Sequence, residues 1–402
     1  MKTLYWTGQK HPRAEQQVED LMQHMRQAIT NHFCAAEYQT VAVIGGYGRG
    51  EGGADCTGNR VRLQNNVDLL WILPPRSPRD LTALKQRFQK KVAAPLAQKY
   101  GIDVDVFFLD HRRLQHLPCL VMLYDMKYGH RTLLGDQHLL HKLPYTVRDI
   151  LPSDVRNLMC NRAILLLFNQ LLLRHHLRHR PHEPLSEDLR KILARHTYKA
   201  VLGYGDALLF AHGDYHWSYQ EKQKRMGSHL HFPVAVRQHY TRAMEDRFSA
   251  SPERYSETDA AVWWQQQQEL LDFFGPWHLA FENWRMGTQL TSWAGYPEAQ
   301  FSHAWRAENN YRGVKLRKFK HWLRHRQPGN YLQGKARRGL QVSDSASVFA
   351  TLFPLVAYGT GHHPFFEEQL PGGQQDVLQH YLQSWSAYLN PGFWRTCEVF
   401  LK

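Results

Sequence analysis

Hydrophobic positions change their rhythm along this chain. Between Ala14 and Phe33, Val18, Leu21, Met22, Met25, Ile29 and Phe33 recur at helical spacing, which predicts an amphipathic helix with one buried face. Short continuous apolar runs follow. The first, Val41 to Ile44, stops at Gly45-Gly46; the second begins at Val67 and carries Asp68 near its start. A third, I-D-V-D-V-F-F-L from Ile102 to Leu109, again embeds carboxylates among β-forming residues. Between the second and third runs, Leu81, Leu84, Phe88, Val92, Leu96 and Tyr100 share one face of a helix over 79–100. The order is helix, strand, glycine turn, polar insert, strand, helix, strand, which predicts one compact unit over 1–148.

From residue 151 the strand signals fade and helical patterns run to the C-terminus. Arg156 to His176 and Glu187 to Leu209 are the strongest, with Pro181 and Pro184 between them. Breaks near 249–256, 287–297, 327–344 and 359–373 divide the remainder. The expected fold class is therefore α+β: the first unit, a helical domain over 149–290, and a helical, aromatic-rich and basic region over 291–402. No internal repeat is present, and the only biased tract is Gln265 to Gln268.

Charge narrows the partners. Lys and Arg exceed Asp and Glu by 50 to 36, and the resulting +14 favours anions such as nucleotides, nucleic acid or acidic membrane surfaces. The five cysteines, Cys34, Cys56, Cys119, Cys160 and Cys397, show no C-x-x-C spacing and read as free thiols in a reducing cytoplasm. The first residues, M-K-T-L-Y-W-T-G-Q-K-H-P-R, lack the apolar run of a signal peptide. The longest greasy stretch, Ala163 to Leu173, is interrupted by Asn169 and Gln170 and is shorter than the ~20 residues a membrane span needs. A soluble cytoplasmic protein without a membrane partner is expected. Over 311–338, Arg312, Lys315, Arg317, Lys318, Lys320, Arg324, Arg326, Lys335, Arg337 and Arg338 interleave with Phe319, Trp322 and Tyr331. That mixture suits a nucleic-acid contact, and equally a solvated helix buried through its aromatics.

The candidate chemistry lies in V-A-V-I-G-G-Y-G-R-G-E-G-G, Val41 to Gly53, and in N-N-V-D-L-L-W-I-L, Asn65 to Leu73. Glycines admit backbone N–H groups close to a polyphosphate, which a Cβ would block. An arginine such as Arg49 can hold phosphate through paired charge-assisted hydrogen bonds, or clamp the loop by pairing with Glu51. Carboxylates on neighbouring strands offer the hard oxygen ligands that Mg²⁺ prefers. Asp68 alone is equally a strand-end acid; together with Asp105 and the glycines it reads as a ligand.

The order and identity of these residues over roughly 35–110 resembles the polymerase-β-like nucleotidyltransferase superfamily. Gly45-Gly46 stands for its glycine pair, Asp68 for its second acid and Asp105 for its third. The G-R-G-E-G tail, Gly48 to Gly52, looks like the variant found in small bacterial nucleotidyltransferases that precede helical domains. The resemblance implies a mixed nucleotidyltransferase sheet with flanking helices, Mg²⁺ (or Mn²⁺), and a nucleoside triphosphate as substrate. It implies attack of an acceptor hydroxyl on the α-phosphate with pyrophosphate leaving, the acceptor being RNA, a protein or a small molecule. Gly45, Gly46 and Arg49 would hold the triphosphate, and Asp68 and Asp105 the metal. The first acid of the pattern is replaced here by Asn66, which supplies an oxygen but no charge, and Asp103 is a candidate replacement because it shares a strand face with Asp105. The gap from Gly46 to Asn66 is also longer than usual in the family. Downstream, Lys199, Asp206, Tyr215 and Tyr219 more loosely resemble the helical partner domain of such enzymes. Lys199 is either a triphosphate contact or a surface lysine of an amphipathic helix. A second reading is a nucleotide- or RNA-binding protein of this fold that has lost turnover.

Histidines offer two further patterns. His175, His176, His179 and His182 resemble a metal cluster but sit among Arg174, Arg178 and Arg180, which repel cations. Arg190 to His196 fits the arginine-to-histidine spacing of HEPN ribonucleases, a helical family often paired with small nucleotidyltransferases, but histidine is frequent enough here for such a spacing to arise by chance.

Overall fold

A computed structural model of the chain describes residues 5–57, 60–74, 78–248, 256–307, 345–359 and 374–401. The basic segment 311–338 lies outside the described residues. The chain forms two compact units, 1–154 with 214–251 and 155–213 with 252–402. This differs from the three consecutive segments expected from the sequence. The first unit recruits 214–251 because Glu51 of the glycine motif caps the helix that begins at Tyr219, as described below.

The first unit is mixed α+β. Its four-stranded sheet has the order β5-β4-β1-β6, with β1 Thr40–Ile44, β4 Val67–Leu73, β5 Val104–Asp110 and β6 Arg131–Gly135. β4 and β5 run parallel, and β1 is antiparallel to both β4 and β6. The strand β6 was not expected, since R-T-L-L-G is too short to announce itself. α1, Pro12–His32, buries Val18, Leu21, Met22, Met25 and Ile29, the face that the sequence periodicity predicts. These residues share a core with Val41, Val43, Val67, Leu69, Trp71, Leu73 and Val104 of the sheet, each buried aliphatic contributing about 1.5–3 kcal/mol. Trp71 anchors that core between the rings of Phe33, Phe88 and Phe108, at centroid distances of 5.0, 5.9 and 5.5 Å.

The predicted helix over 79–100 is present but interrupted. α3, Pro78–Phe88, passes through a π turn at Gln89–Ala93 into α4, Ala94–Tyr100. Pro95 explains the break: it has no N–H to donate, and its ring crowds the preceding turn, so the ladder widens there. The polar insert is also structured. It forms a hairpin of β2 Gly53–Thr57 and β3 Arg60–Gln64, pinned by the buried Tyr47 hydroxyl, 2.9 Å from the carbonyls of both Gly53 and Gln64.

The second unit is helical in its described residues. α7 Pro152–His179 enters it at Val155, and α8 Glu187–Ala211 packs on α11 Ala260–Met286. α12 Tyr296–Ala307 and the helices Ser345–Ala357, Gln374–Leu389 and Pro391–Glu398 follow. A buried ion pair sits inside: Arg285 donates to both carboxylate oxygens of Glu282 at 3.0 and 2.6 Å. Burial pushes the Glu282 carboxyl up, but Arg285 more than offsets this and holds it at about 2. Among the described residues no helix is long and apolar enough to cross a membrane.

Candidate functional site

Because side chains alternate across a strand, the face of the sheet opposite the Trp71 core receives Asp68 and Asp105. Each is the second residue of its strand, and the parallel pairing sets Asp68 directly beside Asp105, with Ile44 of β1 on the other side of Asp68. The chain leaves β1 through a short helix, α2 Gly45–Arg49, where the sequence pattern predicted a glycine turn. Gly45 has φ +66°, and a Cβ built there would lie 2.5 Å from Asp68 Oδ2. Only glycine allows the turn to rest on that carboxylate. Gly48 is fixed for a different reason, since its Cβ would meet the Val43 carbonyl oxygen at 2.4 Å.

Asn66, one residue ahead of β4, ties the two acids together. Its amide nitrogen donates to Asp68 Oδ1 at 2.8 Å and to Asp105 Oδ2 at 2.6 Å. Burial, and then the charge of Asp105, push the Asp68 carboxyl up to about 6, against the opposing pull of Arg49, Arg247 and Asn66. A carboxylate pair held in this state attracts a cation.

The donor set bears on what that cation can be. Asp103 does not join the cluster: it is exposed just ahead of β5, where its carbonyl accepts the Val67 N–H at 2.8 Å. Among the described residues, no group of three or more His, Cys, Asp or Glu is placed to hold a metal ion. Asn66 is therefore the third member, and a half-turn of its amide would present Oδ1 instead of the N–H₂ to a cation. Asn66, Asp68 and Asp105 then offer three hard oxygens and two negative charges, which fits one divalent ion with water completing its shell.

Arg49, expected to hold triphosphate, is turned inward. Its side chain is 8% exposed, lies 3.4 Å from Glu51 and 3.7 Å from Asp125, and stacks 4.8 Å over the Tyr219 ring. Its charge is already answered, so it orders the site from behind. Glu51 in turn accepts from the Ser218 hydroxyl and from the backbone N–H groups of Tyr219 (2.9 Å) and Gln220 (3.1 Å), the first turn of α9, Tyr219–Ser228. A carboxylate at a helix N-terminus satisfies orphan donors and meets the positive end of the dipole. Tyr215, meanwhile, donates to Asp125 at 3.1 Å. The G-R-G-E motif thus ties α9 onto the sheet.

Arg247, near the end of α10, Val234–Phe248, was missed by sequence reasoning. Its guanidinium, like that of Arg49 and the ammonium of Lys222, lies over the Tyr219 ring, 4.1 Å from the centroid. Nothing in the sequence, two hundred residues beyond the glycines, marks it. Lys199 lies on α8 in the other unit, outside the unit that carries the glycines and acids, and Asp206 there pairs with Arg162 at 2.8 Å.

Neither histidine pattern forms a reactive centre. His196 is buried, with Nδ1 2.7 Å from Asn169 Oδ1, and burial, helped by Arg195 and Lys199, brings its pKa down to about 3. A neutral, enclosed imidazole does not meet RNA. The rings of His175 and His179 lie 4.4 Å apart at a tilt of 39°, and His176 bonds the Glu183 carbonyl at 2.8 Å.

Fold and site together define an α+β protein whose mixed sheet carries a paired-carboxylate edge beside a glycine turn. No family model matches this chain, and no match to a curated protein was found.

Proposed function

We propose that this chain is a nucleotidyltransferase of the polymerase-β-like type, moving a nucleoside monophosphate from a nucleoside triphosphate to an acceptor hydroxyl. The observation that carries the reading is the in-register pair Asp68 and Asp105 with the Gly45 turn resting on Asp68. The sheet order, with two parallel acidic strands beside an antiparallel first strand, supports the nucleotidyltransferase fold. Asp68, Asp105 and the Asn66 amide oxygen would hold Mg²⁺ or Mn²⁺. When bound, such an ion neutralises charge on the triphosphate and polarises the phosphoryl group. Gly45 and Gly46 give the polyphosphate close access to the backbone, and the Arg49–Glu51–Asp125 network fixes α9 against that turn. An acceptor oxygen attacks the α-phosphorus, the bond to the β-phosphate oxygen breaks, and pyrophosphate carries that electron pair away.

The acceptor is an RNA, a protein or a small molecule, and the basic segment 311–338 is the candidate contact for a nucleic-acid acceptor. A second reading has one observation in its favour. The Asn66 amide already spans both acids, as it would in a nucleotide- or RNA-binding protein that keeps the site closed to metal and does not turn over. Incubating the chain with each NTP and Mg²⁺ or Mn²⁺ separates the two. Pyrophosphate release lost on Asp68→Ala supports transfer, and nucleotide binding without release supports the second reading. Neither binding nor release would sink both.

A further inference from the structure

We propose that Arg247 is an anion-binding residue that holds a phosphate of the nucleotide over the Gly45-Gly46 turn. This rests on the nucleotide reading above and adds to it a residue that neither the motif nor the family resemblance contains. Two arginines flank Tyr219, and their surroundings differ. Arg49 faces Glu51 and Asp125. Arg247 has no carboxylate within ion-pair distance among the described residues; its Nε, like that of Arg49, is buried without a hydrogen-bond partner among them.

The stack on Tyr219 fixes the guanidinium plane, so little side-chain freedom remains to be lost when a ligand arrives. Its position is set against the turn: a Cβ built on Gly46 would lie 3.5 Å from Arg247 Nη2. One guanidinium nitrogen thus lies close beside the Gly46 backbone. The charge also reaches the acids, as Arg247 is among the groups that pull Asp68 down. A cation with no carboxylate in ion-pair distance among the described residues, held on Tyr219 close to a glycine turn, suits an anion that also coordinates a cation. A polyphosphate has both properties, and an arginine fork matches its oxygens.

Because the base is unidentified, inorganic tripolyphosphate is the probe, titrated calorimetrically with and without Mg²⁺, against each NTP and against inorganic phosphate. Arg247→Gln is expected to weaken tripolyphosphate and NTP binding by about tenfold, with Arg247→Lys recovering part of the loss. Arg395→Gln, an exposed arginine of the other unit, should match wild type. Thermal unfolding of Arg247→Gln should also match wild type, since a merely structural role would move it. In the unaltered protein, tripolyphosphate should protect Arg247 from phenylglyoxal, read by mass spectrometry of its peptide, a measurement that requires no variant to fold. Unchanged affinity in Arg247→Gln, absence of protection, or absence of tripolyphosphate binding by wild type would each overturn the proposal. The two readings fail separately. Tripolyphosphate binding that depends on Arg247, without pyrophosphate release from any NTP, defeats nucleotidyl transfer and leaves the anion site. Release that depends on Asp68 but is indifferent to Arg247→Gln defeats the anion site alone.

Discussion

Each unit of this chain sets an asparagine amide among several partners, once at the edge of the sheet and once among the helices. In the helical unit, Asn169 donates to the Leu193 carbonyl (3.0 Å) and Gln267 Oε1 (2.9 Å) and meets His196 at 2.7 Å. All of these partners are neutral, and Asn169, His196 and Gln267 are buried. At the sheet edge, Asn66 donates to two carboxylates, one exposed and one raised by burial and then by its neighbour's charge. The same side chain closes a network in the first case and leaves unanswered charge in the second. What makes one cluster structural and the other a candidate for chemistry is net charge and access to solvent, not the residue types.

The largest test removes the closed network. Asn169→Ala would strand His196 in the interior, leave Gln267 Oε1 with Thr197 alone, and is expected to lower unfolding free energy by roughly 3 kcal/mol, read by denaturant titration. A loss comparable to a surface substitution would mean that the network contributes nothing and the contrast fails.

Next comes pH. Asp68 has its carboxyl raised from 3.8 to about 6, so the folded chain keeps a proton that the unfolded chain has released, and this group erodes stability as pH rises through that window. His196, lowered from 6.5 to about 3, acts in the opposite sense. Here the unfolded chain takes a proton that the folded chain refuses, so stability is lost as pH falls through 6.5 toward 3. The two slopes partly cancel in wild type. Asp68→Asn should remove the first and leave stability rising more steeply with pH. Parallel profiles for the variant and wild type would remove the case for a destabilised acid at the sheet edge.

The smallest effect sharpens the edge itself. Asn66→Asp adds a third negative charge and should tighten Mn²⁺ binding by about tenfold, as followed by electron paramagnetic resonance. Asp103→Asn should leave Mn²⁺ binding unchanged, because that carboxylate stands outside the cluster. The reverse ranking would relocate the cation site.

Much of the first unit was legible because its cues are local. The period of α1, the three apolar runs that became β1, β4 and β5, and the glycine turn against Asp68 all follow from spacing and residue type. The hairpin β2–β3 was not legible, since its inward face is small, Ala54 and Leu63 buried with Cys56 and Val61 partly so, and lies among glycines and polar residues. β6 was not legible because a five-residue edge strand has too little pattern to distinguish it from a loop. For Arg49 the sequence left open a phosphate contact or a loop clamp on Glu51; the structure pairs it with Glu51, and its further partners Asp125 and Tyr219 come from distant helices.

By itself, then, the sequence determined α1, the strands β1, β4 and β5 and the placement of the acids, since alternation along a strand sends Asp68 and Asp105 to one face whatever surrounds them. Only the tertiary structure decided which charges are answered. Arg49 is neutralised by Glu51 and Asp125, His196 is sealed by Asn169, Asn66 spans the acids, and Arg247 is left facing the glycine turn. Apart from the near neighbours Arg49–Glu51 and Asn66–Asp68, each of these is a contact between residues far apart in sequence, fixed by packing of whole helices on the sheet or on each other, and no local pattern encodes it.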